Sequence, residues 1–500
     1  MFSPRRQILA GLVLALSNFM VVLDLTIANV SIPHIAGNLG ISLDQGAWII
    51  TSYAVAEAVC VPLTGWLSQR VGVVKLFVFA MAGFGLFSML CGMSVTLGML
   101  VACRIGQGLC GAPLMPMSQT LMQRVFPPEK RAMAAGIWAM TTLLGPALGP
   151  IIGGWISDNM SWHWIFLLNV PIAAACTGAA WILLRPAETP IRIVPIDKIG
   201  VLLLVFWIGC LQLMLDLGRD RDWFANPLIL SLAIMAFVGF VVFVIWELTE
   251  EHPAVDLRIF RYRGFSSAVF TLALAFGSYF ASIVMIPQWL QTSLGYNATD
   301  AGLVTALTAM TSITTAPLAA KLMTRVDPRI LISASVAWLG AMTIVRTGWT
   351  SGIDFWSMAI PQIVQGFAMP FFIVPLTALS LNGLRPEETA SAAGLQNFLR
   401  TMAIAVSTAL ALTIWGDAQR VSQNDLAAVI NPDDTLTKLQ NSGFGMEQAR
   451  QVIGNIVGQE ATTLAVDHTF FVTAIVLFIA AAVVWIAPRT KGETDMSNVH

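Results

Sequence analysis

Charge is what this sequence has least of. Only 11% of its 500 residues are Asp, Glu, Lys or Arg, against 56% hydrophobic residues, and the mean hydropathy is +0.75. Chains of that balance are not ordinary soluble globular proteins, so water is excluded as the main solvent. Cysteine is sparse too: Cys60, Cys91, Cys103, Cys110, Cys176 and Cys210 all fall inside apolar segments, which argues against a disulfide framework or a thiolate metal site. A GxxxxGK[ST] phosphate cradle is missing, so ATP is not the expected energy source. The five histidines lie in loops, at termini or at segment ends without an HExxH pattern, so no catalytic residue, metal ligand or cofactor is nominated and an intramembrane enzyme is set aside. A net charge of −1 gives no reason to expect a nucleic-acid partner.

What the chain has instead is length in apolar runs. A bilayer-spanning helix takes roughly 20 mostly apolar residues, and fourteen such stretches follow one another, at 8–31, 47–68, 76–95, 98–122, 132–155, 164–184, 198–217, 227–247, 265–290, 299–322, 329–348, 355–381, 390–416 and 467–487. They are continuously apolar and lack the alternation of a membrane barrel, so the expected class is all-α integral membrane. The opening apolar run is longer than a signal h-region and is expected to stay as the first helix. An even number of spans puts both termini on one side. That side carries nineteen of the 27 lysines and arginines, the other side six, Arg346 among them, while Arg104 and Arg400 lie inside spans. The asymmetry makes the termini cytoplasmic.

The sequence also repeats itself. RIGQGLCG (104–111) and the segment after it return as QIVQGFAM (362–369) and its sequel, 258 residues on, with Gln107 and Gly108 on Gln365 and Gly366, and Ala134 and Gly136 on Ala392 and Gly394. That match superposes the fourth and fifth spans on the twelfth and thirteenth, and PLTGWLSQRV (62–71) against PLAAKLMTRV (317–326), at offset 255, the second on the tenth. Two six-helix bundles follow, with the seventh and eighth spans inserted: 1–190, 191–250 and 251–500, with a polar loop at 418–466 on the side away from the termini. Repeats of this kind belong to secondary transporters, whose halves rock about a midplane site.

Ionisable residues inside hydrocarbon are expensive and are functional candidates by default. Asp24, Arg104 and Glu57 fall at similar depth, about 10–15 Å below the surface opposite the termini at a rise of 1.5 Å per residue. Desolvation disfavours an ionised carboxylate and a nearby guanidinium favours it, so a carboxyl near Arg104 can be switched between protonation states by moving helices. All three are therefore proton-coupling candidates. A static Asp24–Arg104 pair that only fixes packing, and a Glu57 that contacts cationic substrates, are open alternatives. Arg400 is the serious cavity candidate, with Gln107 and Gln365 beside the repeat; Asp216, Glu247 and Asp467 are near enough to span ends to reach an interface.

GPALGPIIGG (145–154) sets Gly145, Gly149 and Gly153 on one smooth helix face, with Gly154 beside them, where another backbone can pack closely; Pro146 and Pro150 allow a pivot. Its counterpart at 403–412 lacks these residues, so a hinge or seal confined to one half is expected. GWLSQRVGVVK (65–75) places Gly65, Arg70 and Gly72 in a tight turn on the terminus side, read as a gate latch. A positive-inside anchor would account for Arg70 but not for the glycines.

Together with LDLTIANVSIP (23–33) and RIGQGLCGAP (104–113), these stretches resemble, in order, the signature motifs of the major facilitator superfamily's fourteen-helix drug:proton antiporters. DQGAWIITSY (44–53), LDLGRDRDWF (215–224) and WELTEEHPAVDLRIF (246–260) are similar to the EmrB-like branch, the inner-membrane subunits of tripartite efflux systems. The resemblance implies export of hydrophobic drugs driven by the proton gradient, proton coupling at Asp24 and Arg104, an antiporter helix at Gly145–Gly154, and a bacterial inner membrane. It also implies an EmrA-like periplasmic adaptor and a TolC-like outer-membrane channel. The chain departs from the superfamily pattern at Gln69, where an acid is usual, and at Val73 and Val74, where a basic pair is usual; no acidic gating role is carried over there.

Overall fold

A computed structural model describes residues 3–487 apart from 192–194, 196, 219–220, 324, 382–383, 386–387, 430–437, 440 and 442–444. Among the described residues there is no strand. The helices are α1 (Pro4–Leu39), α2 (Leu43–Cys60), α3 (Thr64–Val71), α4 (Val73–Gly92), α5 (Leu97–Gly111), α6 (Leu114–Val125), α7 (Pro128–Asn159), α8 (Trp164–Leu167), α9 (Asn169–Leu183), α10 (Lys198–Gly218), α11 (Pro227–Thr249), α12 (Arg263–Ser293), α13 (Ala298–Met323), α14 (Pro328–Val345), α15 (Phe355–Ala368), α16 (Pro370–Leu381), α17 (Thr389–Val429) and α18 (Met446–Val483). Twelve segments are long and apolar enough to cross a membrane, and the bent pair α2–α3 makes a thirteenth. The 32-residue α7 occupies the expected fifth span.

Local sequence explains where these helices start and break. Ser42 accepts the Gln45 N–H at 3.2 Å while the Gln45 side chain accepts the Ser42 N–H at 3.2 Å, a capping box that starts α2. Asp354 accepts the N–H groups of Trp356 and Ser357 and starts α15. The second, fourth and twelfth spans each break at a proline, Pro62, Pro113 and Pro370, which offers no N–H to the helix. At the first of these the chain turns by 62°.

In the first half α1 packs on α2, α6, α7 and α9, and α4 on α5 and α9; in the second α12 packs on α13, α16, α17 and α18, and α14 on α15, α16 and α18. The halves meet where α7 lies along α13 and α16, and where α17 crosses α3 and α6. The inserted helices α10 and α11 pack on each other, and α10 also touches α2 and α17.

Two expectations need correction. The 418–466 segment is mostly helix rather than loop: α17 runs for 41 residues and α18 for 38. At 1.5 Å per residue each is about 60 Å long, twice the apolar thickness of a bilayer. Their extensions pair on the side away from the termini, tied by Gln419 Nε2 donating to Thr462 Oγ1 at 2.9 Å, and Ser351, between α14 and α15, donates to Glu460 of α18. Glu247, expected to reach an interface, is fully buried and accepts the Val255 N–H at 3.1 Å.

Candidate functional site

Asp24, Arg104 and Gln107 meet at the centre of the first half. Asp24 sits in the middle of α1, and its carboxylate and the Arg104 guanidinium of α5 are both 0% exposed. Arg104 Nη1 donates to Asp24 Oδ2 at 2.7 Å and to Gln107 Oε1 at 2.9 Å, and Nε donates to the Ile49 carbonyl of α2 at 3.1 Å. The other carboxylate oxygen accepts from Gln107 Nε2 at 3.0 Å and from Asn169 Nδ2 of α9 at 2.7 Å. Asn169 also donates to Ser88 Oγ at 3.1 Å. The guanidinium lies 4.3 Å from the Tyr53 ring centroid and 5.5 Å from that of Phe166. Charge pairing, neutral donors and aromatic faces together offset a desolvation cost of several kcal/mol per ion.

The glycine stripe of α7 is where α1 makes its close approach. A Cβ on Gly145 would stand 2.8 Å from Val22 Cβ, one on Gly149 2.7 Å from Thr26 Cβ, and one on Gly153 2.9 Å from the Ile27 carbonyl, so the two backbones touch on either side of Asp24. Thr26 Oγ1 donates to the Gly145 carbonyl at 3.1 Å, Asn18 Nδ2 donates to Thr141 Oγ1 at 2.7 Å, and the Ser31 and Ser157 hydroxyls lie 2.8 Å apart. Gly154 is buried in the same helix; the side chains of Pro146 and Pro150 lie outside the described residues.

Glu57 does not join the Asp24 cluster. It lines a cavity of about 470 Å³ between the halves, together with Arg400, Asp216 and a mainly apolar wall. The α1 residues Val22, Leu25, Thr26 and Asn29 belong to that wall, so α1 carries Asp24 on one face and the cavity lining on another. Arg400 is 5% exposed; its Nη2 contacts Met115 Sδ at 2.9 Å and its guanidinium lies 5.8 Å from the Trp138 ring and 5.7 Å from the Phe276 ring.

Gln107 and Gln365, expected beside the cavity, are not among the residues lining it. Gln365 belongs to a second buried cluster built on Arg346. That arginine, counted among the charges at the surface away from the termini, is 1% exposed. Its Nη2 donates to Gln362 Oε1 at 2.8 Å and to Gln365 Oε1, and its guanidinium lies 6.0 Å from the Phe470 ring. At the repeat offset of 258 residues Arg346 falls on Ser88 and Gln362 on Arg104. The second half thus takes its guanidinium from the neighbouring helix, with no carboxylate at ion-pair distance among the described residues.

On the terminus side the halves are in contact. A Cβ on Gly65 would stand 2.7 Å from Ser391 Cα of α17. Gln119 of α6 donates to Gln396 Oε1 at 3.4 Å and accepts from Asn397 Nδ2 at 3.0 Å. Gly72 takes a φ of 93°, the left-handed region that favours glycine, and so turns the chain into α4. The Arg70 guanidinium stands 5.5 Å from the Trp66 ring. Near Gln69, Glu188 accepts the N–H groups of Val74 and Lys75 at 3.0 and 3.1 Å, against the positive end of α4. Nothing in the sequence pattern pointed to Glu188, Gln119, Gln396 or Asn397.

Comparison with known proteins agrees with this architecture. The sequence profile of the Major Facilitator Superfamily matches residues 14–408. The chain is 39% identical to Multidrug export protein EmrB of Escherichia coli (strain K12) over 491 residues, 97% of this chain and 96% of the relative. It is 38% identical to Fatty acid resistance protein FarB of Neisseria gonorrhoeae over 479 residues, covering 95% and 94%. Among solved structures, that of the human organic anion transporter MFSD10 (TETRAN) superposes with a TM-score of 0.57 at 15% identity, over 95% of this chain and 100% of that one.

Proposed function

Since this chain belongs to the Major Facilitator Superfamily and is a multi-pass membrane transporter, we propose that it is a proton-driven antiporter exporting hydrophobic drugs and toxic compounds. What carries the reading is that one helix, α1, holds a fully buried carboxylate in a charge cluster and lines the cavity between the halves with its other face. Protonating Asp24 removes the charge that ties α1 to Arg104. The guanidinium keeps Gln107, the Ile49 carbonyl and the Tyr53 ring, so it is not stranded when the carboxylate is neutralised. Gain and loss of the proton then tighten and loosen α1 against α5, and the cavity wall moves with it. The glycine contact between α1 and α7 supplies a smooth surface for that movement.

The basic asymmetry of the loops supports an inner-membrane protein with both termini cytoplasmic. The cavity contact with the cytoplasm is then the closed one, at Gly65 and Ser391. The proton gradient supplies the energy and no cofactor takes part. The paired extensions of α17 and α18 stand on the periplasmic side, a suitable place for an EmrA-like adaptor leading to a TolC-like outer-membrane channel. In proteoliposomes with an imposed pH gradient, Asp24→Asn is expected to abolish extrusion of a hydrophobic dye while insertion and yield stay normal. Dye extrusion at the unsubstituted rate by the variant would remove Asp24 from the coupling.

A further inference from the structure

The inserted helix α10 is more than a spacer between the repeats. Leu204, Trp207 and Ile208 share one buried apolar cluster with Ala58 and Val61 at the end of α2 and with Leu395 and Phe398 of α17. Trp207 meets Phe398 edge-on at 6.0 Å. The helix therefore covers the seam where the two halves face each other. Beyond this anchor, toward its other end, Gln212, Leu215 and Asp216 line the same 470 Å³ cavity as Glu57 and Arg400.

The charges in that cavity are unequally compensated. Glu57 is 2% exposed, and among the described residues its carboxylate accepts no hydrogen bond and makes no ion pair. Asp216 is held by neutral groups alone, accepting a long hydrogen bond, 3.4 Å, from Gln212 of its own helix and another from the Thr51 hydroxyl of α2, with no ion pair among the described residues. Among the described lining residues Arg400 is the one guanidinium, and it rests against two aromatic faces and a thioether, with neither carboxylate at ion-pair distance. Two carboxylates against one such guanidinium leave a mostly apolar chamber with unmet negative charge.

We propose that α10 forms one wall of the substrate site, and that Asp216 acts with Glu57 to select lipophilic organic cations. The proposal rests on the reading of this cavity as the transport site, but it does not need a proton gradient and can fail separately from the coupling assigned to Asp24.

Equilibrium binding to the purified full-length protein tests it with two probes of the same size and opposite charge, tetraphenylphosphonium and tetraphenylborate. The protein is expected to hold the cation at least about tenfold more tightly than the anion, a difference of about 1.4 kcal/mol. Asp216→Asn should weaken the cation about tenfold and leave the anion no weaker, Asp216→Glu should restore the preference, and Glu57→Gln should lose it as Asp216→Asn does. Cation binding unchanged by Asp216→Asn, equal weakening of both probes, equal affinity of the unsubstituted protein for both, or binding of neither would each overturn the proposal.

Discussion

At the residue scale the centre of the molecule is a carboxylate that water does not reach. Asp24 has three donors from two other helices, one of them charged. Arg104 is shaped for its task because a planar fork contacts α1, α2 and its own helix at once. Arg104→Lys keeps the charge but not the fork. Each lost hydrogen bond to a charged group is worth about 1.5–3 kcal/mol, so dye efflux should fall at least about tenfold with normal insertion. Efflux at the unsubstituted rate would mean that a point charge suffices. Asp24 and Arg104 were legible in the sequence because a charge in an apolar run stands out. Asn169 and Ser88, which complete the cluster, were not, since neutral polar residues are common in membrane helices and leave no such mark. Arg346 was misplaced for a related reason: it closes an apolar run, where a charge normally reaches water, and only the fold turns it inward onto Gln362 and Gln365.

Among the elements, α1 and α7 are the pair on which the proposed mechanism depends. Three glycines at intervals of four residues bring the backbones together around Asp24, and any Cβ there collides with backbone or branched side chains. Gly149→Val is expected to cost about 1–3 kcal/mol in overpacking, lowering both the thermal midpoint in detergent and dye efflux. Gly178→Ala in α9, where a Cβ meets nothing within 4 Å, serves as the control and should change neither. A Gly149 variant with the unsubstituted midpoint and efflux would show that the close approach is not needed. The stripe was readable from spacing alone, but its partner was not, because spacing marks a smooth face without saying which helix lies on it. The same limit applies to α10. Its sequence marks a span with Asp216 near one end, and only packing on α2 and α17 turns that residue toward the cavity. The long extensions of α17 and α18 were missed because their polar outer turns lack the apolar run by which membrane helices are found.

For the whole molecule, the repeat predicts two matched halves with an inserted pair; in the packing, α1 to α9 associate with one another, α12 to α18 do the same, and α10 and α11 pack on each other. The halves match in scaffold and differ in chemistry. The first pairs a carboxylate with a guanidinium and has the glycine stripe; the second seats Arg346 against two glutamines and lacks the stripe. In the proposed mechanism a proton acts on one half, and the cavity between the halves converts that local change into access for substrate. The most direct test is to load proteoliposomes with the purified protein and a pH-sensitive dye, impose only a substrate gradient, and follow the internal pH. Exchange requires protons to move opposite to the substrate, and to stop doing so in the Asp24→Asn protein. Substrate flux with no proton movement, or with protons travelling alongside the substrate, would contradict the account.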